Sequence, residues 1–403
     1  MVPKLRFSFT SALSPYKLGV LTKWFSGGTP SKDNKSYWDG DISWFTAASM
    51  KDNELSVSPT KISDLGLANG SRLANKNDIL LLVRGSMLFN KIPVGVLLND
   101  AAFNQDVKAI KCLEKFNHRF ALQWLLSKES HLLSMVTGTG IGAGKLDTSE
   151  LQNLDVYLPD YVEQSKIADF LSTVDEKIAL LNKQYDLLCQ YKKGMMQKIF
   201  SQELRFKDDN GDEFPEWEEV ELKKIASKVN TKNRDNSVTV VLTNSATQGI
   251  VSQESYFERE IVTESNLTGY YVVRIGDFVY NPRISSTAPV GPIKMNELTR
   301  GVMSPLYTVF RFEKGLLKFY QYFFESSVWH DYMKSVANSG ARHDRMNISG
   351  ADFFGLPVPQ PFEEEQTKIA NLLSLLDDKI TAKNAELEKL KAWKQGLLQQ
   401  MFV

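Results

Sequence analysis

The chain has 403 residues, of which 42% are hydrophobic and 24% are charged, and its 48 basic residues balance its 48 acidic residues. These values exclude a disordered chain and a small disulfide-stapled scaffold, and the length suggests two or three domains. Composition alone does not indicate a nucleic-acid binder. Such a function would need basic residues that are concentrated locally or supplied in part by another subunit.

The hydropathy pattern and the cysteine and histidine positions indicate where the protein is located and whether it binds a metal. No apolar run reaches the ~18 residues of a membrane span, and the segment from Met1 to Phe9 lacks the apolar core of a signal peptide. We therefore expect a cytoplasmic protein without a membrane partner. Cys112 and Cys189 form no CxxC pair, and the four histidines lack metal-ligand spacing, so we expect no metal site.

In chain order, each half of the sequence begins with short apolar runs between Gly, Asn, Asp and Ser turns, which predict β-strands. One amphipathic helix and one long helix follow in each half, so the order of elements indicates an α/β or α+β class. The predicted strands are Ile42 to Thr46, Ile79 to Val83, Val94 to Leu98, Val238 to Thr243, Tyr270 to Val273 and Leu306 to Phe312. The helices are predicted at His118 to Met135, Ser165 to Ser201 and Leu316 to Val336.

The sequence also contains an internal repeat. When it is shifted by 202 positions, residues 159–200 align with 361–402, and 17 of these 42 positions are identical. Glu163-Gln164 aligns with Glu365-Gln366, and upstream Leu5-Arg6-Phe7 recurs as Leu204-Arg205-Phe206. The ends of the two copies are alike and the middles differ, which favours a common frame that carries two different specificities.

Apolar residues in the repeated segment recur at alternating spacings of four and three, the pattern of a coiled coil. Because a single apolar stripe cannot bury itself, we expect the two helices to pair antiparallel within the chain and to relate the two halves by a pseudo-twofold. Lys192 interrupts the stripe, and Asp160 with Glu163 fits a capping box at the first helix start. The predicted pairing residues are Ile167, Leu171, Val174, Ile178, Leu181, Leu188, Ile369, Leu373, Leu376, Ile380, Leu387 and Leu390.

Several of these motifs resemble one known family. Leu158-Pro159, Glu163-Gln164 and Lys166-Ile167-Ala168, followed by a long helix that ends in 193–200, are similar to the conserved region of type I restriction–modification specificity (S) subunits. The duplicate at 361–402 has the same resemblance. The runs 27–31, 37–44 and 214–222 resemble the openings of that family's target-recognition domains, although copy two has Asn-Thr-Lys-Asn-Arg at 230–234 where copy one has Gly-Gly-Thr-Pro-Ser.

The resemblance implies a non-catalytic DNA-reading subunit with no cofactor of its own. It implies tandem α/β (α+β) target-recognition domains at 1–158 and 204–360, separated by an antiparallel coiled coil of helices at 159–203 and 361–403. Each domain would read one half of a split, asymmetric double-stranded DNA site, while the helices set the spacing and dock two methyltransferase (M) subunits. Those partners use S-adenosylmethionine, and restriction (R) subunits add ATP- and Mg²⁺-dependent translocation and cleavage.

DNA reading requires basic and amide side chains that reach base edges and phosphates. The basic candidates lie in turn-rich segments, where a side chain can project from the fold. They are Lys32, Lys35, Arg84, Lys91 and Lys145 in the first half, and Lys232, Arg234, Arg283, Arg342, His343 and Arg345 in the second. We expect the aromatic residues Trp38, Trp44 and Phe45 to pack in a strand core.

Three segments superficially suggest catalysis. Residues 138–145 are glycine-rich but lack the Gly-Lys-Ser/Thr ending of a P-loop. Residues 281–284 lack the second Pro and the aromatic of a methyltransferase Asn-Pro-Pro-aromatic loop, and Glu219-x-Glu221-x-Lys223 lacks the upstream Pro-Asp of a nuclease. We therefore predict no catalytic residues. A self-contained DNA methyltransferase or nuclease and a protein-only coiled-coil scaffold remain as alternatives.

Overall fold

The computed structural model describes residues 3–7, 12–140, 142–257, 264–338 and 344–402. Its internal contacts divide the chain into two compact units. Unit 1 comprises Met1–Lys183 and Ala385–Val403, and unit 2 comprises Gln184–Asn384. Each unit therefore combines one globular part with the beginning of one long helix and the end of the other. The four domains predicted from the sequence, 1–158, 159–203, 204–360 and 361–403, were drawn from the repeated motifs and not from internal contacts. They stay predictions.

In unit 1, the central sheet of the described residues has the strand order Thr22–Ser26, Val107–Cys112, Ile79–Leu82, Val94–Leu97 and Glu54–Leu55. A second sheet has the order Lys61–Ile62, Trp38–Phe45, Ala101–Phe103 and Leu73–Ala74. A third joins Thr137–Gly138, Gly144–Lys145 and Arg84–Gly85, and a two-stranded ribbon pairs Ser14–Lys17 with Asp155–Leu158. The central strand Ile79–Leu82 is buried on both faces, which explains its continuous apolar run.

The helices of unit 1 cover these sheets. The α-helices are Leu18–Leu21, Asp64–Gly70, His118–Ser127, Glu129–Ser134 and Thr148–Gln152, and the 3₁₀ helices are Lys35–Tyr37, Ala47–Ser49 and Ser86–Phe89. The prediction of one continuous helix from His118 to Met135 is wrong. The helix is interrupted at Lys128, whose φ of −92° and ψ of 3° are not helical.

Unit 2 repeats the central sheet with the order Ala226–Lys228, Thr308–Phe312, Phe278–Tyr280 and Ile293–Met295. It also repeats the ribbon, as Glu218–Glu221 with Pro357–Gln360, whereas its remaining ladders pair Leu242–Ser245 with Gly249–Ser252 and Tyr271–Val273 with Gly301–Met303. Its helices are Leu222–Lys224, Gln253–Phe257, Glu264–Gly269, Leu317–Glu325, His330–Ser335 and Gly350–Phe354.

Two predictions for unit 2 need correction. The helix predicted from Leu316 to Val336 ends at Glu325, because Ser326 is extended and its hydroxyl donates to the Phe323 carbonyl at 2.6 Å. The strand predicted at Val238 to Thr243 occurs at Leu242–Ser245. The buried Asn233 side chain binds both backbone groups of Val238, which holds that segment as a turn.

The long helices run from Tyr161 to Phe200 and from Glu363 to Met401. The first begins four residues before its predicted start and ends one residue earlier, and Gln202, just beyond it, has a left-handed φ of 59°. The Asp160 carboxylate accepts the Glu163 N–H at 2.9 Å, which is one half of the predicted capping box. The Glu163 carboxylate itself binds Arg6.

The two long helices pair antiparallel within each unit. In unit 1, Leu397 and Phe402 belong to the same apolar core as Ile167 and Leu171. In unit 2, Ile199 and Phe200 of the first helix pack in one core with Ile369 and Leu373 of the second. The pairing thus joins the beginning of one helix to the end of the other in both units.

Candidate nucleic-acid interface

In unit 1, two exposed basic side chains stand opposite each other on neighbouring strands. Arg84 comes directly after the central strand, and its antiparallel partner in the ladder is Lys145. Both side chains are exposed, that of Lys145 by 47%. Both residues were predicted from the sequence as DNA contacts, and the fold brings them together across 61 positions of the chain.

Unit 2 has the same arrangement at the equivalent place. Arg283 follows the central strand Phe278–Tyr280 and forms an antiparallel bridge with Arg345. The side chains are 67% and 29% exposed. Arg342 and His343, the other predicted contacts in this segment, lie outside the described residues.

These two basic pairs create local positive charge in a chain without net charge. Directly opposed residues on antiparallel strands project on the same face with Cβ atoms about 5 Å apart, and like charges there repel each other. The carboxylates beside them are exposed and loosely placed, at 3.9 Å for Lys145 Nζ to Asp147 and 3.9 Å for Arg283 Nε to Asp344. Such exposed contacts neutralise little charge, so each basic pair is suited to bind a phosphate.

The predicted contacts Lys32 and Lys35 lie in an exposed loop of unit 1 that two tryptophans hold in place. The Trp44 indole donates to the Gly28 carbonyl at 3.0 Å, and the Trp38 indole donates to the Ser31 carbonyl at 3.0 Å. The two rings pack edge to face with centroids 5.3 Å apart. Trp44 and Phe45 are buried, as expected for a strand core, and the indole N–H groups also order the loop.

Close packing explains why this loop contains two consecutive glycines, Gly27 and Gly28. A Cβ atom on Gly27 would collide with the Phe103 carbonyl oxygen, and one on Gly28 would collide with the Gly70 carbonyl oxygen. The Gly28 N–H donates to the Phe103 carbonyl at 2.9 Å. The glycines therefore let the loop approach the strand Ala101–Phe103 closely.

Sequence reasoning missed Gln105, which lies beside both the loop and the basic pair. Its side chain is exposed, and its Oε1 accepts the Thr29 hydroxyl at 2.6 Å. The neighbouring Asp106 carbonyl accepts the Arg84 N–H at 3.2 Å. A glutamine amide can read adenine in the major groove. The signal in the sequence was the polar run Asn104-Gln105-Asp106 directly after a buried strand.

The corresponding loop of unit 2 is built in another way. Lys232 and Arg234 are exposed on either side of Asn233, which is only 1% exposed. The Asn233 Nδ2 donates to the Val238 carbonyl at 2.8 Å, and its Oδ1 accepts the Val238 N–H at 3.1 Å. The loop thus carries basic side chains on a buried amide anchor.

The remaining predicted residues lie elsewhere. Lys91 lines a cavity of about 260 Å³ together with Glu129 and Lys394. Among the predicted pairing residues, some are buried in the helix contacts and others are partly exposed. Buried are Ile167, Leu171, Val174, Leu181, Ile369, Leu373, Leu376 and Leu387; Ile178, Leu188, Ile380 and Leu390 are partly exposed.

The start of each long helix is fixed to its own globular part through a buried carboxylate. Arg6 binds the carboxylate of Glu163, which is 1% exposed, and this hydrogen bond raises the pKa of the Arg6 guanidinium. In unit 2, Arg205 donates to both oxygens of the fully buried Glu365, at 3.1 and 2.8 Å. The sequence showed both repeats, Leu-Arg-Phe and Glu-Gln, but did not show that they meet.

Two of the three segments that superficially suggested catalysis form β-structure here. Thr137–Gly138 and Gly144–Lys145 form a hairpin at the glycine-rich run, and Glu218–Glu221 is a strand of the ribbon. In the described ranges, no group of three His, Cys, Asp or Glu side chains is arranged to hold a metal ion. Nor does any described helix contain a stretch apolar enough to cross a lipid bilayer.

Comparison with known proteins finds one family model and several relatives of the same kind. Residues 14–190 match the family model described as the type I restriction modification DNA specificity domain. The MjaVIII specificity subunit of Methanocaldococcus jannaschii is 26% identical over 399 residues, which cover 95% of this chain and 90% of that protein. Residues 14–190 thus form a type I restriction modification DNA specificity domain, and the chain as a whole is similar to specificity subunits of type I restriction enzymes.

Another specificity subunit and two solved structures are also similar to this chain. The EcoR124I/EcoR124II specificity subunit of Escherichia coli is 28% identical over 182 residues, 42% of this chain and 45% of that protein, so this match spans less than half of the relative. The S subunit structure from M. genitalium covers all of this chain with a TM-score of 0.57 at 16% identity. A structure from work on assembly and conformational transition of the type I system covers 98%, with a TM-score of 0.56 at 14% identity.

These comparisons confirm the predicted fold class, tandem α/β domains with long helices. They also favour a specificity subunit over a self-contained methyltransferase or nuclease and over a protein-only scaffold.

Proposed function

We propose that this specificity subunit reads a split, asymmetric double-stranded DNA sequence, one half with each unit. The observation that carries the proposal is the pair of opposed basic residues after the central strand, Arg84 with Lys145 and Arg283 with Arg345. Two like charges on facing positions are unfavourable until an anion neutralises them. The loops that carry further basic side chains, Lys32 in unit 1 and Lys232 with Arg234 in unit 2, are anchored by different contacts, so two different half-sequences would be read.

The proposal also assigns the chemistry to partner subunits. The paired long helices dock two methyltransferase subunits, which use S-adenosylmethionine, and restriction subunits add ATP- and Mg²⁺-dependent steps. The chain itself binds none of these cofactors and carries no catalytic residue. The similarity to known relatives supports this division of labour, because the relatives are named as specificity subunits of restriction enzymes.

DNA binding by the complex of the full chain with its methyltransferase subunits tests the proposal. Arg84→Ala with Lys145→Ala, and separately Arg283→Ala with Arg345→Ala, should each weaken binding to the cognate duplex at least tenfold. Because each double variant removes two phosphate contacts, the slope of log affinity against log salt should fall by about two. Each should leave the methylated adenines in the other half-sequence unchanged.

Matched controls come from basic residues that precede the same central strands. Lys76→Ala and Arg274→Ala remove an exposed charge at the opposite end of the strand in units 1 and 2 and should leave affinity and salt slope unchanged. The purified chain with S-adenosylmethionine alone should methylate no DNA. Equal effects of controls and basic-pair variants, or methylation by the chain alone, would contradict the proposal.

A further inference from the structure

The apolar stripe of each long helix is interrupted by a lysine at the same repeat position, Lys192 in the first helix and Lys394 in the second. Neither lysine points freely into solvent, since their side chains are only 13% and 11% exposed. A lysine is seldom buried to this extent without a charged partner. In both units that partner is an aspartate of the opposite helix.

In unit 2, the Lys192 Nζ lies 2.7 Å from Asp377 Oδ1 and 3.0 Å from Glu325 Oε2. The ammonium group also lies 4.9 Å from the centroid of the Tyr322 ring. The Tyr322 hydroxyl donates to the second Asp377 oxygen at 2.8 Å. The aspartate is therefore held from both sides, by the opposite helix and by the helix Leu317–Glu325.

Unit 1 repeats the arrangement with different supporting residues. The Lys394 Nζ lies 2.5 Å from Asp175 Oδ1, and the Gln123 amide donates to the second Asp175 oxygen at 2.9 Å. Gln123 belongs to the helix His118–Ser127, the counterpart of Leu317–Glu325 in unit 2. The lysine–aspartate pair is thus common to both units, but the residues around it differ. In unit 1 the Gln123 amide contacts the pair, and in unit 2 the Tyr322 hydroxyl and the Glu325 carboxylate do so.

The two pairs correspond to a single alignment of the helices. In an antiparallel helix pair, a step forward along one helix is a step backward along the other, so opposed residues have a constant sum of residue numbers. That sum is 569 in both pairs, which therefore belong to one register. A stripe of apolar residues repeated every seven positions would also tolerate a slide by seven residues. Such a slide would bring Lys192 opposite Ala370 in one direction, or Asp377 opposite Ile199 in the other, and would leave a charge without its partner in an apolar contact.

We infer that the Lys192–Asp377 and Lys394–Asp175 pairs are positioning residues that select one register of the long helices and thereby fix the gap between the two DNA half-sequences. The inference rests on the proposed function, since the gap is meaningful only if each unit reads one half. The aspartate side chains are 40% and 34% exposed, so the pairs are partly buried. Such ion pairs add little stability compared with apolar substitutes, but a lysine moved against apolar side chains without its partner is costly. A single polar contact in an apolar helix seam is therefore a means of choosing register.

The test uses the full chain in complex with its methyltransferase subunits and a series of duplexes whose two half-sequences are separated by different gaps. The half-sequences come from mapping methylated adenines. A double leucine variant replaces both members of each pair, Lys192→Leu with Asp377→Leu and Lys394→Leu with Asp175→Leu, because a lysine removed alone would leave its aspartate unpaired. This variant should keep the thermal unfolding midpoint within a few degrees. Its affinity for duplexes whose gap is about three base pairs longer or shorter should be at least tenfold higher than that of the unaltered complex. The reason is that a slide of seven residues moves a helix by about 10 Å, and one base pair rises 3.4 Å.

A charge exchange in unit 1 provides a second arm. Lys394→Asp alone places two carboxylates together and should lower both affinity and the unfolding midpoint, whereas Lys394→Asp with Asp175→Lys should restore the original gap preference. Lys391→Leu is the matched control. It removes an exposed ion pair on the same helix, in which Lys391 Nζ lies 2.9 Å from Glu388, and it should change neither the gap preference nor the unfolding midpoint.

The possible failures are distinguishable. If the unaltered complex shows no preference for any split sequence, the proposed function is wrong. If the unaltered complex prefers one gap and the double leucine variant keeps that preference unchanged, the apolar contacts alone set the register and the inference is wrong. Failure of the charge exchange to restore the preference would also overturn it.

Discussion

The two units resemble each other closely at the starts of the long helices but not in the loops at 27–35 and 230–238 that carry basic side chains. At the helix starts, Glu163 and Glu365 are both buried and both bind an arginine from the beginning of their own globular part. The following glutamines, Gln164 and Gln366, accept the backbone N–H of the residue just before the helices His118–Ser127 and Leu317–Glu325, at 2.9 and 3.1 Å. Sequence and contacts are repeated together.

The loops show the opposite behaviour. In unit 1, glycines and two tryptophan indoles hold the loop against a strand, whereas in unit 2 the buried amide of Asn233 anchors it from within. Both solutions expose basic side chains, yet their backbones are shaped by different contacts. The comparison teaches that the frame around the helices depends on fixed buried polar contacts, while the proposed reading surface can change as long as each loop keeps an anchor.

The largest expected effect concerns the frame. Arg6→Ala or Arg205→Ala leaves a buried carboxylate without its guanidinium and should lower the free energy of unfolding by about 3–5 kcal/mol. In the described part of unit 2, Glu365 also accepts the Trp217 indole at 2.9 Å, so Arg205→Ala should cost less than Arg6→Ala. Urea unfolding of the full chain followed by circular dichroism measures both. Negligible losses would show that the two helix starts are not anchored by these contacts, and equal losses would show that the Trp217 hydrogen bond does not compensate for the missing arginine.

A smaller effect is expected from the loop anchor of unit 2. Asn233→Ala removes two hydrogen bonds to Val238 and leaves buried backbone groups unpaired, which should cost about 1–3 kcal/mol. Hydrogen exchange should accelerate in residues 231–238, and DNA affinity should fall through unit 2 alone. Asn230→Ala, at an exposed position of the same loop, is the control. Comparable effects of both variants would weaken the distinction between the loops.

The smallest effect on stability is expected at the surface of unit 1. Thr29→Val removes the 2.6 Å bond that orients the Gln105 amide, and because this bond is exposed to solvent, the stability should change by less than about 0.5 kcal/mol. Binding should nevertheless become less selective at a single position of one half-sequence, as measured by sequencing the duplexes that the complex retains from a randomised pool. Thr29→Ser, which keeps the hydroxyl, should preserve the selectivity.

Much of the frame could be predicted from the sequence, because repeated motifs and heptad spacing are local patterns. The spacing of Ile167, Leu171 and Val174 predicted a helix whose apolar face is buried, and the structure buries all three. Helix ends were less predictable. The continuous helix expected after His118 is interrupted at Lys128, where backbone geometry overrides the apolar period.

By itself, the sequence determined the duplication, the long helices, the resemblance to one family and a set of basic residues in turns, because each of these depends on residues that are near in the chain or recur at a fixed offset. Tertiary structure alone decided which distant residues meet. Arg84 meets Lys145, Arg283 meets Arg345, and Lys192 meets Asp377 only because antiparallel ladders and antiparallel helices bring together residues 61 to 185 positions apart. Opposed charges and buried ion pairs depend on distance in space, which spacing along the chain does not give.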